Sequence, residues 1–289
     1  MTYPILQALN LTQRFGPSTG RAGFTGHRRK SPVASEERIA PAHPTVALDN
    51  LSVTILRGQS VAIMGPSGSG KTTLLHALAG IDLPQSGEIY FHNANGPDAV
   101  HLMRPEARAD LRLRHFGFVF QSGLMLDELT VVENVALPLM LCGVDRASAY
   151  QTASSWLQRL GLEGLEDRRL GEISGGQAQR VAIARAQVCG PEVIFADEPT
   201  GALDSAAARD VLNALLESTT QRGATLVLVT HDPTVAAQCS RTIHLRDGKI
   251  VGDTRDMDSG PDAVECGGLA VSARMRSTQN AVHVGQVRS

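Results

Sequence analysis

Val61-Ala62-Ile63-Met64-Gly65-Pro66-Ser67-Gly68-Ser69-Gly70-Lys71-Thr72-Thr73-Leu74-Leu75-His76-Ala77-Leu78-Ala79 decides the fold of this 289-residue chain. An apolar run of strand length leads into a glycine-rich loop, and the loop leads into a helical pattern. Strand, loop and helix in that order form the context of a phosphate-binding loop. Glycines let successive backbone N–H groups face one anion. The helix that starts near Lys71 adds the positive end of its dipole. Lys71 is placed to reach the β- and γ-phosphates, and the Thr72 hydroxyl to ligate Mg²⁺. The stretch predicts a nucleoside triphosphate site.

Further motifs lie downstream. Gln121 closes Phe116-Gly117-Phe118-Val119-Phe120-Gln121, and Ile173-Ser174-Gly175-Gly176-Gln177-Ala178-Gln179-Arg180 follows. Val193 to Ala196 is an apolar run short enough for a buried parallel strand. It ends in Asp197-Glu198-Pro199-Thr200-Gly201-Ala202-Leu203-Asp204-Ser205. Asp197 is positioned to hold Mg²⁺, directly or through water. Glu198, one residue on, is placed to polarise an attacking water. A solvated turn is the bland alternative, and a carboxylate pair closing a buried strand speaks against it. Thr225 to Thr230 reads as a second buried strand that delivers His231 to the same sheet edge. Its position there favours a γ-phosphate contact over a purely structural role. Ser174 is a candidate N-cap for a helix beginning at Gln177, which makes a second anion-binding helix start. An ordinary capped helix fits the same residues.

Six motifs in this order resemble the ATP-binding cassette (ABC) ATPases, over about residues 46 to 252. The resemblance implies an α/β fold of the P-loop NTPase class. Its core is a mixed, mainly parallel sheet, joined by an antiparallel β-subdomain and by a helical subdomain at about 122–180. It implies ATP and Mg²⁺ as ligands. The nucleotide falls to Gly65, Pro66, Ser67, Gly68, Ser69, Gly70, Lys71, Thr72 and Thr73. The metal falls to Thr72, Gln121 and Asp197, and catalysis to Glu198, His231 and Gln121. The signature Ser174-Gly175-Gly176-Gln177 then binds the γ-phosphate held by a second copy or a homologous cassette, with Asp204 at the dimer seam. One P-loop and one signature per chain require such pairing. An aromatic residue after the first strand stacks on adenine in this family. Phe15 matches locally, and Phe24 is the alternative.

The strand patterns Ile5 to Phe15, Ala47 to Leu56 and Glu88 to His92 match the β-subdomain. Residues 17–42 interrupt them with Gly, Pro, Ser and charge, including Arg28-Arg29-Lys30, and read as a flexible insertion. Beyond Gly252 the chain turns polar and aperiodic, so 253–289 reads as a disordered tail. A composition of 42% hydrophobic residues supports one sizeable core. Net charge −2 and 4% aromatic residues give no nucleic-acid footprint. The four cysteines, Cys142, Cys189, Cys239 and Cys266, have neither metal-ligand spacing nor a disulfide framework. No stretch reaches the roughly 18 apolar residues of a membrane span. The start Met1-Thr2-Tyr3-Pro4 lacks a signal-peptide pattern.

Within the family, three further runs narrow the match: Leu129-Thr130-Val131-Val132-Glu133-Asn134-Val135, Leu137-Pro138-Leu139 and Leu245-Arg246-Asp247-Gly248-Lys249. Together with the motifs above they resemble the lipoprotein-releasing and macrolide-exporting branch, which pairs with FtsX-like permeases. That branch implies a subunit on the cytoplasmic face of the membrane, peripheral through its permease. The segment after Gln121 would receive the permease. A cell-division-type cassette regulating a cell-wall hydrolase fits the same residues. A soluble ABC ATPase acting on nucleic acid or the ribosome fits less well. Such proteins carry paired cassettes, zinc fingers, coiled coils or basic linkers that this sequence lacks.

Overall fold

A computed structural model describes residues 3–16, 45–121 and 124–254. Strands β1 (Pro4–Phe15), β2 (Thr45–Leu56), β4 (Ser86–Asn93) and β5 (Gly96–Ala99) form an antiparallel sheet in the order β2-β1-β4-β5. Strands β3 (Ser60–Met64), β6 (Phe116–Phe120), β7 (Val193–Asp197), β8 (Thr225–Val229), β9 (Arg241–Arg246) and β10 (Lys249–Asp253) form a second sheet. Its order is β10-β9-β3-β8-β7-β6. All its neighbours are parallel except β9 and β10. The helices are α1 (Lys71–Leu78), α2 (Pro105–His115), α3 (Val131–Leu141), α4 (Arg146–Arg159), α5 (Gly175–Gln187), α6 (Ser205–Thr220) and the short α7 (Pro233–Ala236).

The parallel strands are apolar at nearly every position because both faces are covered. Val193 and Phe195 of β7, with Val227 and Val229 of β8, pack toward the antiparallel sheet and α1. Ile194, Ala196, Leu226 and Leu228 alternate to the other face, against α3, α4, α5 and α6. Period-two alternation thus divides one sheet between two cores. Local chemistry sets where the helices begin. Thr130 and Glu133 form a capping box on α3, and the Asp145 side chain caps α4.

The antiparallel pairing of β1 with β2 reaches Arg14–Val46 and Phe15–Thr45. The two ends of the segment between them are therefore adjacent. The insertion read at 17–42, Phe24 and the Arg28-Arg29-Lys30 triplet lie outside the described residues, as does nearly all of the tail. The folded part does not stop at Gly252. β10 continues through Asp253, whose carboxylate takes two hydrogen bonds from Arg241 at 2.9 and 2.6 Å. Arg241 is buried, and a buried guanidinium requires such a partner. No helix among the described residues is long and apolar enough to cross a membrane.

Candidate functional site

Four parallel strands end level with one another. Ile63 pairs with Val229, Val229 with Asp197, and Asp197 with Phe120. The residues that follow leave the sheet at one edge: the loop 65–70, Gln121, Glu198 and His231. This carboxyl edge is where open α/β sheets bind ligands. Register alone gathers residues that are far apart in sequence.

The glycines of the loop do different work. A Cβ on Gly65 or Gly70 would overlap the carbonyl oxygen of Leu245 or Ala47. Gly68 is left-handed (φ 79°), and a Cβ there meets nothing within 4 Å. The loop is thus walled on one side and open on the other. Gly70 starts α1 in a left-handed conformation without any side-chain cap. First-turn amides have no partner within a helix, so those of α1 remain available to a ligand. Ser69 Oγ is buried and has no hydrogen-bond partner among the described residues. Lys71 Nζ donates to the carbonyls of Gly65 (2.8 Å) and Pro66 (2.9 Å). Free amides, an unpaired hydroxyl and an ammonium group suit a run of phosphates.

The Thr72 hydroxyl donates to Asp197 Oδ2 at 3.1 Å. Burial raises the Asp197 carboxyl above its ordinary pKa, and Glu198 adds to this. The Thr72 hydrogen bond and the charges of His76 and Lys71 oppose it. A hydroxyl and a half-buried carboxylate are hard oxygen donors of the kind Mg²⁺ takes. Glu198 has a left-handed backbone (φ 47°), uncommon outside glycine. Its amide still donates to the Val229 carbonyl at 3.0 Å. Its carboxylate lies 2.9 Å from His231 Nδ1 through both oxygens. If Nδ1 donates there, Nε2 becomes a donor as well only in the imidazolium form. The Gln121 side chain lies beside Gly201, where an added Cβ would come within 3.1 Å of Nε2.

The signature stands elsewhere. Ser174 caps α5 in a full capping box with Gln177, and Gly175 and Gly176 occupy the first two helical positions. A Cβ on Gly175 would touch Leu203, and one on Gly176 would come 3.3 Å from Ala207. Asp204 caps α6 by accepting from the amides of Ala206 and Ala207, both at 3.0 Å. These backbone hydrogen bonds hold its carboxyl below the ordinary value. Ser174 and Asp204 therefore sit on two packed helix starts. The turn 199–203 links them to Glu198.

Phe15 ends β1 and is 53% exposed. Its partner strand β2 carries Ala47, which lies against Gly70. Pairing thus brings this end of β1 to the side of the loop. The sequence reading missed Ala47 and Leu245 as the walls of the loop. Both act through backbone carbonyls, which leave no side-chain signature.

Comparison with known proteins agrees with this geometry. The family described as ABC transporter matches residues 48–201. The macrolide export ATP-binding/permease protein MacB of Haemophilus ducreyi is 43% identical over 73% of this chain and 30% of its own length. The probable syringafactin export ATP-binding/permease protein SyfD of Pseudomonas syringae pv. syringae is 44% identical over 74% of this chain and 32% of its own. The chain thus spans about a third of the length of these curated relatives. Among solved structures, the ATP-binding cassette MJ0796, dimeric and bound to ADP and Pi, aligns with a TM-score of 0.70. The two share 32% identity, over 86% of this chain and 97% of the other. The chain belongs to the ABC transporter family.

Proposed function

We propose that this chain is an ATP-hydrolysing cassette that pairs around two ATP molecules and drives a membrane permease of the export, lipoprotein-release or mechanotransmission type. The carrying observation is the shared sheet edge, with Thr72 on Asp197 and Glu198 on His231 beside the phosphate-binding loop. Gly65 through Thr73 bind the phosphates, and Phe15 stacks on adenine. Thr72, Asp197 and Gln121 would hold Mg²⁺. Mg²⁺ held there would supply neutralisation of phosphate charge. Glu198 takes the proton of the attacking water, and His231 orients the Glu198 carboxylate. The signature 174–177 contacts the γ-phosphate bound by a second copy, with Asp204 at the seam. The cassette occupies 1–252, extended here to Asp253.

A cavity of about 370 Å³ between α5, α3 and β6, lined by Phe118, Phe120, Leu124, Pro138 and Arg185, follows Gln121 directly and suits the permease. In this reading the chain sits on the cytoplasmic face of the membrane, held there by that partner. The names of MacB and SyfD support an export role, and both relatives extend well beyond the part matched here.

Glu198→Gln keeps the shape of the site and removes the base. ATP binding should persist, hydrolysis should nearly stop, and a dimer should accumulate with ATP. Equal turnover in the two proteins at saturating ATP would remove Glu198 from the proposed role.

A further inference from the structure

A second cavity, of about 360 Å³, lies away from the sheet edge between α4, α5 and α6. Arg159, Arg180 and Arg222 line it around Trp156. The guanidinium of Arg159 stacks 5.4 Å from the indole centroid, and that of Arg222 lies 5.1 Å from it. Arg222 also donates to the Gln187 carbonyl at 3.4 Å. Arg180 donates to the Leu160 carbonyl at 3.2 Å, while its Nε is buried without a partner. Among the described residues none of the three pairs with a carboxylate, although Asp210 and Glu217 line the same cavity.

Three guanidinium groups outnumber the two carboxylates of Asp210 and Glu217 around one hollow, and each is held by stacking or by a backbone carbonyl. Fixed guanidinium forks with unused N–H groups match the oxygens of a phosphate bidentately. The volume exceeds that of a bare ion. We propose that this cavity binds a phosphate group, either free or carried by a small organic ester, independently of the phosphate-binding loop.

Trp156 is the single tryptophan of the chain, so its fluorescence reports this cavity directly. The probe is inorganic pyrophosphate, titrated into the full chain by calorimetry and by Trp156 fluorescence, with sodium chloride at matched ionic strength as reference. The Lys71→Ala chain is titrated in parallel, to separate this cavity from the loop. The Trp156 signal should saturate in both proteins with the same affinity. Arg222→Gln, at an exposed position, should weaken it by about tenfold or more, as loss of a charge-assisted hydrogen bond implies. Asp210→Asn should tighten it about two- to threefold by removing a negative charge that repels the phosphate. A misfolded variant would not gain affinity. Glycerol 3-phosphate distinguishes the sources: saturation by it assigns a phosphate ester, and saturation by pyrophosphate alone assigns an inorganic phosphate. Saturation by neither would overturn the proposal. So would binding lost in Lys71→Ala, or Arg222→Gln and Asp210→Asn proteins that both bind as the wild type does.

Discussion

Two helix starts in this molecule suit anions, and they are built in opposite ways. α1 begins at a left-handed Gly70 with no side-chain cap. Its first-turn amides are open, and Lys71 and the buried Ser69 hydroxyl stand beside them. α5 begins at Ser174, whose hydroxyl accepts from the Gln177 amide at 3.3 Å, while Gln177 Oε1 accepts from the Ser174 amide at 2.8 Å. That helix is partly satisfied by its own residues, and only the glycine amides remain. The difference teaches a division of labour. The open start is suited to hold phosphate within one chain. The capped start is stable alone and leaves room for a second, weaker contact from outside.

The largest expected effect strikes the open start. Lys71→Ala should lower ATP affinity by roughly 10- to 100-fold, the worth of a charge-assisted contact. Ser174→Ala should leave the ATP affinity of the isolated chain unchanged. Fluorescent nucleotide titration of both proteins checks the contrast, and equal losses would erase it. The glycines come next. Gly70→Ala combines a left-handed backbone (φ 100°) with overlap on the Ala47 carbonyl, and should cost about 2–4 kcal/mol. Gly176→Ala meets only a tight methyl at Ala207 and gains helix propensity, so its change should stay within about 1 kcal/mol. Urea unfolding ranks the two.

Caps give smaller shifts. Ser174→Ala should cost about 1 kcal/mol in the same assay, since an N-cap is lost. The smallest effect concerns pH. Backbone hydrogen bonds from Ala207 and Ala206 lower the Asp204 carboxyl in the folded state. A lowered carboxyl stabilises the fold above its unfolded value, near pH 4, and loses that contribution as pH falls through the folded value. The urea midpoint of Asp204→Asn should therefore fall less steeply on acidification than that of the wild type.

Much of this was legible in the sequence because the chemistry is carried by contiguous residues. The run from Val61 to Ala79 shows strand, loop and helix start. Asp197-Glu198 closed a strand whose burial its apolar run predicts. Ser174 is readable as an N-cap, whereas its reciprocal bond with Gln177 is seen only in the fold. What the sequence hid depends on register and backbone. The turn of Glu198 into the left-handed region has no local signal, and neither do the carbonyl walls supplied by Ala47 and Leu245. The contact of His231 Nδ1 with the Glu198 carboxylate is set by the alignment of Asp197 with Val229. Asp253 read as tail because one aspartate near a polar stretch looks solvated. Its partner Arg241 lies on another strand.

The central claim is that the open start of one chain and the capped start of another enclose one ATP. Chains carrying Ser174→Arg keep the loop and lose the signature, whereas Lys71→Ala chains do the reverse. Neither alone should hydrolyse ATP. Mixed in equal amounts, they form heterodimers with one intact composite site and one site broken on both sides. The measurement is ATP turnover of the mixture against each protein alone. Turnover should recover in the mixture, with a peak at equal amounts of the two proteins. A mixture no more active than the sum of its parts, from chains that each remain folded, would contradict it.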